Sequence, residues 1–118
     1  MQQLTIAIDA MGGDFGPQVT VPAAVQALSQ FPELKITIVG DRDAISTQLT
    51  HLNYTPNSRL SIVHSDSVIG NNTPPSKALR HSRGSSMRVA LDLVSSTDAQ
   101  ACISAGNTGA LMGLSRFT

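Results

Sequence analysis

The segment LKITIVGDRDAISTQLTHL, residues 34–52, changes its hydrophobic period halfway and thereby decides the fold. Its first part, residues 34–40, is a short apolar run rich in β-branched residues, which predicts a buried strand. In its second part, residues 41–52, Ile45, Leu49 and Leu52 recur at helical spacing behind an acidic start, which predicts a helix. A strand that passes directly into a helix is the unit from which parallel sheets are built.

The same unit recurs along the whole chain, which we interpret as a single α/β domain over residues 1–118. Further strands are predicted at residues 4–9 (LTIAID), 59–64 (RLSIVH) and 99–105 (AQACISA). A further helix is predicted at residues 20–31, where Thr20 would be the cap and Pro22 would lie in the first turn. Three more are predicted: one in the region opened by Pro74 and Pro75, one from Ser85 or Ser86, and one from Thr108. Because the strands are too continuously apolar to have one face in water, we expect a mostly parallel sheet with helices on both faces, joined by right-handed crossovers.

Composition excludes several classes of protein. The only cysteine, Cys102, cannot form an internal disulfide, which fits a reducing compartment. The N-terminus does not resemble a signal peptide, and no apolar run approaches the ~20 residues that span a bilayer. Eight basic and eight acidic residues cancel, which argues against nucleic acid as a partner. We therefore expect a cytoplasmic protein, and the sequence leaves open a peripheral association with a membrane.

The basic residues are unevenly placed. Residues 67–91 contain no acid but hold half of the basic side chains, namely Lys77, Arg80, Arg83 and Arg88. One interpretation is a solvated helix face, with Arg88 as a plain surface charge. The other is an anion site, because Arg83 precedes Ser85 and Ser86, whose hydroxyls and free amides would begin a helix.

Two glycine-rich segments follow predicted strands, at the edge of a parallel sheet where ligands gather. The first carries Asp9, Gly12, Gly13 and Asp14. The second, residues 104–109, has the sequence SAGNTG and passes from strand to helix, where free amides and the helix dipole favour an anion. Either segment could instead be an ordinary tight turn, since glycine, asparagine and aspartate are common in turns.

No pattern in the sequence indicates a metal or a cofactor. His51, His64 and His81 lack the spacing of a metal site, and Cys102, in the middle of a predicted strand, is interpreted as a buried, inert thiol. The Walker A motif and the dinucleotide-binding glycine motif are both absent from the sequence. We therefore expect no metal and no cofactor.

Three segments together carry a resemblance to a known family. DAMGGDFGP (9–17), SRGSSMRVALDLV (82–94) and ACISAGNTGALMG (101–113), in this order, resemble the bacterial phosphate acyltransferases of phospholipid synthesis. The resemblance runs from Leu4 to about Leu114. It implies a fold similar to that of the phosphotransacetylases and the isocitrate and isopropylmalate dehydrogenases.

The resemblance also implies an activity, partners and a site. Members of that family transfer a fatty acyl group from acyl carrier protein to inorganic phosphate, and they are longer and homodimeric. The implied phosphate-binding residues are Ser104, Gly106, Asn107, Thr108 and Gly109, with Arg83, Ser85 and Ser86 as further donors and Asp9, Gly12, Gly13 and Asp14 as the pocket wall. The resemblance assigns no catalytic residue. Because members of that family run considerably farther than this chain, apolar surface and a strand edge would be exposed here, and we expect these 118 residues alone to be an incomplete, inactive N-terminal portion that is prone to associate.

Two alternatives remain open at this stage. One is a decarboxylating dehydrogenase relative on the same scaffold, although the nicotinamide site and metal carboxylates that it needs are not evident. The other is a non-catalytic α/β fragment that retains an anion pocket.

Overall fold

A computed structural model describes residues 4–12, 15–65, 85–96 and 98–104 of the chain. The elements are β1 (Leu4–Asp9), α1 (Pro17–Gln30), β2 (Leu34–Gly40), α2 (Arg42–His51), β3 (Leu60–His64), α3 (Ser86–Ser95) and β4 (Ala101–Ser104). The helices expected near Pro74 and from Thr108 onward lie outside the described residues. Within the described ranges, strands and helices alternate as the sequence predicts.

The four strands form one parallel sheet in the order β3-β2-β1-β4. Asp9, the last residue of β1, lies opposite Val39 of β2 and Ser104 of β4, and Gly40 lies opposite His64 of β3. The carboxyl ends of the four strands therefore share one edge, which we call the carboxyl edge. The predicted α/β fold with a parallel sheet is confirmed.

Helices cover both faces of this sheet. On one face, a buried cluster joins α1 and α2 to the strands, and its members are Ala10, Val21, Ala24, Leu28, Ile36, Ile38, Ile45, Leu49 and Leu60. On the other face, Ala90 of α3 packs with Ala7 and Val39, next to Val63 and Cys102. Because strand side chains alternate between faces, β1, β2 and β3 each contribute to both clusters.

The connections obey one handedness. The steps from β1 to β2 and from β2 to β3 run in one direction across the sheet, and their helices, α1 and α2, lie on the same face. The step to β4 runs the other way, and its helix α3 lies on the opposite face. The crossover to β4 thus differs from the first two both in its direction across the sheet and in the face that its helix covers. These two differences cancel, so all the crossovers have the same handedness, as expected if they are right-handed.

The start of α1 differs from the prediction. The helix begins at Pro17 instead of Thr20, with Gly16 as the N-cap at φ 55°. Proline is suited to the first helical position because its φ is already helical and its missing N–H needs no partner there. Thr20 does not cap the helix, since its hydroxyl donates to the carbonyls of Ala10 at 2.8 Å and Gly16 at 3.2 Å. Pro22 consequently lies inside the helix and not in its first turn.

Two strands are shorter than predicted. β3 begins at Leu60 because Arg59 belongs to the preceding turn, where its backbone N–H donates to the Asn57 side chain at 2.8 Å. β4 begins at Ala101 because the N–H of Ala99 is bonded to the carbonyl of Leu93, at the end of α3. At its other end, β4 is described as far as Ser104, and the predicted final residue, Ala105, lies outside the described ranges.

Candidate functional site

A buried carboxylate joins the ends of two strands at the carboxyl edge. The side chain of Asp9, which is 2 % exposed, accepts a hydrogen bond of 2.8 Å from the hydroxyl of Ser104 and one of 3.2 Å from the N–H of Met11. Hydrogen bonds to an ionised group are stronger than neutral ones. The pair therefore fixes the points at which the glycine-rich segments after β1 and β4 begin.

The N-terminus of α3 lies at the same edge. The carbonyl of Leu93, near the end of α3, accepts the N–H of Ala99 just before β4 starts, so the C-terminal end of the helix lies at the amino edge. Its N-terminal end therefore faces the carboxyl edge. Ser85 is the N-cap, and its hydroxyl accepts the N–H of Arg88 at 3.2 Å. The remaining free amides and the helix dipole make this end electropositive.

Among the described residues, two buried hydroxyl groups near this edge have no hydrogen-bond partner. They belong to Ser86, the first residue of α3, which is fully buried, and to Ser65, which directly follows β3 and is 6 % exposed. Leaving a buried hydroxyl unpaired costs about 1–3 kcal/mol, so each such group calls for an explanation. A polar ligand that forms hydrogen bonds with these two hydroxyls would explain why both are buried.

Sequence analysis selected Ser86 but missed Ser65. The backbone N–H of Ser65 donates to the carbonyl of Gly40 at 2.9 Å, which extends the parallel pairing one residue past the end of β3. The available signal was a hydroxyl residue directly after the predicted strand 59–64.

The predicted site residues divide into two groups. Those that the structure describes are Asp9, Gly12, Ser85, Ser86 and Ser104, and all of them lie at the carboxyl edge or at the start of α3. Those outside the described residues are Gly13, Asp14, Arg83, Gly106, Asn107, Thr108 and Gly109. Gly12 is buried in a turn and donates its N–H to the carbonyl of Asp9 at 3.4 Å.

The negative charge of Asp9 shapes the electrostatics of this edge. Burial raises the pKa of the Cys102 thiol, and the charge of Asp9 raises it further. The single hydroxyl hydrogen of Ser104 points to Asp9, so toward any other group Ser104 presents an oxygen acceptor.

Two other residues considered in the sequence analysis, His64 and Arg88, form contacts within the protein. The ring nitrogen Nδ1 of His64 accepts the N–H of Arg42 at 3.1 Å and so binds the first turn of α2. Arg88 forms an ion pair of 3.1 Å with Asp92, one turn along α3, as expected for a surface charge. Cys102 was predicted to be a buried, inert thiol, and the structure shows it half-buried.

The described part of the chain shows neither a metal cluster nor a spanning helix. Across residues 4–12, 15–65, 85–96 and 98–104, no three potential metal ligands lie together. In the same ranges, every helix is too short or too polar to cross a bilayer.

The fold and this edge define an α/β protein with a polar site where β1, β4 and α3 converge. The sequence matches the family described as fatty acid synthesis protein over residues 4–118, and the chain belongs to that family.

Three relatives carry the same name. The chain is 88 % identical over 118 residues to the phosphate acyltransferase of Aliivibrio fischeri (strain MJ11), and 90 % identical over 118 residues to that of Aliivibrio salmonicida (strain LFI1238). It is 68 % identical over 117 residues to that of Vibrio atlanticus (strain LGP32). All or 99 % of the chain is covered, but the chain spans only 35 %, 35 % and 34 % of these relatives. The resemblance inferred from the three motifs is confirmed.

Proposed function

We propose that the full-length protein to which this chain corresponds is a phosphate acyltransferase. It moves a fatty acyl group from acyl carrier protein to inorganic phosphate, and the acyl phosphate that results serves phospholipid synthesis. The proposal is supported by the family match over residues 4–118 and by relatives that all carry this name. The 118 residues supply the phosphate side of the site, and the rest of the longer polypeptide supplies the remainder.

One observation carries the assignment of the phosphate side. The hydroxyl of Ser86 is fully buried, has no hydrogen-bond partner among the described residues and lies at the start of α3, where the first amides of a helix and its dipole favour an anion. The proposed phosphate or acyl phosphate contacts are Ser86, Ser85, Arg83, Gly106, Asn107, Thr108 and Gly109, and Ser104 anchors the segment that carries the last four of them. The proposed pocket wall consists of Asp9, Gly12, Gly13 and Asp14.

In the proposed reaction, a phosphate oxygen attacks the thioester carbonyl carbon. A carbon–oxygen bond forms, the carbon–sulfur bond breaks, and the carrier thiol leaves with a proton from the phosphate or solvent. The tasks of the protein are to hold phosphate beside the thioester and to stabilise the negative charge that develops on the carbonyl oxygen. No covalent enzyme intermediate is required.

Asp9 acts in this scheme as a positioning residue. Its carboxylate would repel phosphate, but it holds Ser104 at 2.8 Å and thereby sets where the segment after β4 begins. The amides of that segment, with Asn107 and Thr108, would then meet the phosphate. The contribution of Ser104 is to anchor the segment rather than to donate a hydrogen bond to the anion.

A chimera tests the proposal on a full-length protein. Residues 1–118 replace the corresponding segment of the Aliivibrio fischeri phosphate acyltransferase, which is 88 % identical over this range. We expect Ser86→Ala to raise the KM for phosphate about tenfold to a hundredfold, because one charge-assisted hydrogen bond is lost. Asn107→Ala should also raise it. Ser61→Ala, which removes an exposed hydroxyl bonded to Thr37, is the matched control.

The outcomes separate the alternatives. A chimera that forms no acyl phosphate but shows phosphate-dependent NMR shifts would favour a non-catalytic anion-binding role. Phosphate kinetics that are unchanged by Ser86→Ala would remove the start of α3 from the site. We expect the isolated 118-residue chain to show no turnover, and turnover by that chain would contradict the proposed division of the site.

The setting of the full-length protein is part of the proposal. We expect a cytoplasmic homodimer that receives its acyl group from acyl carrier protein and that can associate peripherally with membranes. Analytical ultracentrifugation of the chimera tests the dimer, and co-sedimentation with phospholipid vesicles tests the membrane association.

A further inference from the structure

An apolar groove lies on the face of the sheet opposite α3. It is bounded by α1 on one side and by the β4 end of the sheet on the other, and its volume is about 250 Å³. Its principal lining residues are Ile6, Ile8, Val19, Ala23, Ala27 and Ile103. Two of the large side chains are strongly exposed, since Val19 is 56 % and Ile103 is 55 % accessible.

The groove coincides with an open edge of the sheet. Among the described residues, β4 pairs with β1 alone and forms one end of the strand order. Parallel sheets are ordinarily covered on both faces, and an uncovered edge with exposed apolar side chains promotes association. The same corner of the molecule therefore lacks both a strand neighbour and a covering helix among the described residues.

We propose that this groove is the docking surface for the part of the full-length polypeptide that follows this chain. The occupant to which we commit is an amphipathic helix that lies beside α1 over β4. The relatives are about three times as long as this chain, which spans 35 % of the Aliivibrio fischeri protein, so the occupant would belong to the same polypeptide.

The dimensions of the sheet support a helix as the occupant. Packed helices lie about 8–10 Å apart, which is close to two strand spacings of about 4.8 Å. Since α1 packs over β1 and β2, a neighbouring helix at this distance would be centred over β4 and the open edge. Its apolar face would contact Val19, Ala23 and Ile103.

The handedness of the connections indicates which part of the polypeptide fills the groove. A crossover from β4 to a new strand on its open edge would run across the sheet in the same direction as the step from β3 to β4. Because crossovers are right-handed, its helix would lie on the same face as α3. The helix in the groove is on the α1 face. It therefore comes from a later part of the polypeptide than the crossover that directly follows β4.

Thiol labelling tests the docking surface and does not depend on phosphate binding or turnover. In a Cys102→Ala background, Val19→Cys places a thiol in the groove and Leu52→Cys places one at the end of α2, away from the groove. Leu52 is 40 % exposed, comparable with Val19, so the two variants are matched. Labelling rates with a maleimide are measured in the isolated chain and in the chimera described above.

The proposal expects similar rates for both thiols in the isolated chain. In the chimera, the rate at position 19 should fall at least about tenfold, whereas the rate at position 52 should stay the same. A second groove position, Ala23→Cys, should follow position 19. An inactive chimera with this protection would contradict the proposed function but not the docking surface.

Two results would overturn the docking surface. The first is equal labelling of positions 19 and 52 in the chimera. The second is protection of position 19 that disappears on dilution, because a second copy of the protein, and not the same polypeptide, would then cover the groove.

Discussion

The hydroxyl of Ser104 donates a hydrogen bond of 2.8 Å to the carboxylate of Asp9 across the ends of two adjacent parallel strands. The two residues are 95 positions apart in the chain, and they are paired in the register of β1 and β4. Each of them precedes a glycine-rich segment. The bond thus joins the two strand ends from which these segments of the proposed phosphate site start.

Ser104→Ala should lower the free energy of unfolding by about 1.5–3 kcal/mol, because the buried Asp9 carboxylate loses a charge-assisted partner. Urea denaturation of the chimera measures the change. Ser61→Ala is the control, since its hydroxyl is exposed and bonded at 3.2 Å to another hydroxyl, that of Thr37. Equal losses of unfolding free energy in the two variants would show that the hydrogen bond to Asp9 contributes no more to stability than the exposed bond between Ser61 and Thr37.

Two adjacent serines should respond oppositely to substitution. Ser85→Ala removes the N-cap of α3 and should cost about 0.5–2 kcal/mol. Ser86→Ala removes a buried hydroxyl that has no partner within the described part of the chain, and it should leave the stability unchanged or raise it by up to about 1–3 kcal/mol. Thermal unfolding without phosphate gives the comparison. A marked destabilisation by Ser86→Ala would mean that its hydroxyl is bonded within the protein.

The side chain of Arg59 caps the C-terminal end of α1, although Arg59 is remote from this helix in the sequence. Its guanidinium donates to the carbonyls of Leu28 at 2.9 Å and Phe31, at the end of the helix, and to that of Leu34 at 3.2 Å. Arg59→Met should therefore cost about 1.5–3 kcal/mol in chemical denaturation. Arg42→Met is the control and should cost less than about 1 kcal/mol, because Arg42 is exposed and its one side-chain contact is 3.4 Å long.

Gly40 provides space for the side chain of Met11. A Cβ at position 40 would lie 2.8 Å from both Cγ and Sδ of Met11 and 3.3 Å from Cδ1 of Ile45. Gly40→Ala should cost about 1–3 kcal/mol through overpacking. The double variant Gly40→Ala, Met11→Ala should lose less than the sum of the single losses, and a double-mutant cycle by denaturation measures this coupling. If the losses of the two single variants simply add in the double variant, the strain does not come from the contact between position 40 and Met11.

The reactivity of Cys102 reports the charge of Asp9. Burial, followed by that charge, raises the pKa of the thiol, so the reactive thiolate forms at higher pH than in a free cysteine. Asp9→Asn should move the midpoint of the alkylation rate to lower pH. The midpoint should stay above the ordinary value because burial, the larger cause, remains. Ser104→Ala keeps the charge, and a similar decrease in that variant would exclude Asp9 as the cause.

Most of the fold was predictable from local pattern. The bounds of β1 and β2 agree with the prediction, α2 agrees within one residue at each end, and α3 begins at Ser86 as predicted, because their hydrophobic period and flanking residues are local properties. The start of α1 was wrong because both Pro17 and Thr20 are acceptable near a helix start. Tertiary contact decided between them, since the Thr20 hydroxyl is bonded to Ala10 at the end of β1.

The candidate site was predictable only in part. Residue type together with a position near the end of a predicted strand identified Asp9 and Ser104, and a position at the start of a predicted helix identified Ser86. Their partners were not identifiable, because the Asp9–Ser104 bond depends on β4 lying beside β1. Ser65 was missed because an unpaired hydroxyl is a property of packing and not of a residue type.

The sequence by itself determined the alternation of strands and helices, the parallel sheet and the family, since each of these follows from residue order along short segments. Only the tertiary structure decided that β4 lies on the far side of β1 from β2, and with it the contact of Ser104 with Asp9 and the apolar groove at Ile103. The physical reason is that strand order depends on long-range packing of the crossover helices, whose apolar faces fit either side of a sheet. Local hydrophobic period contains no information about which side they take.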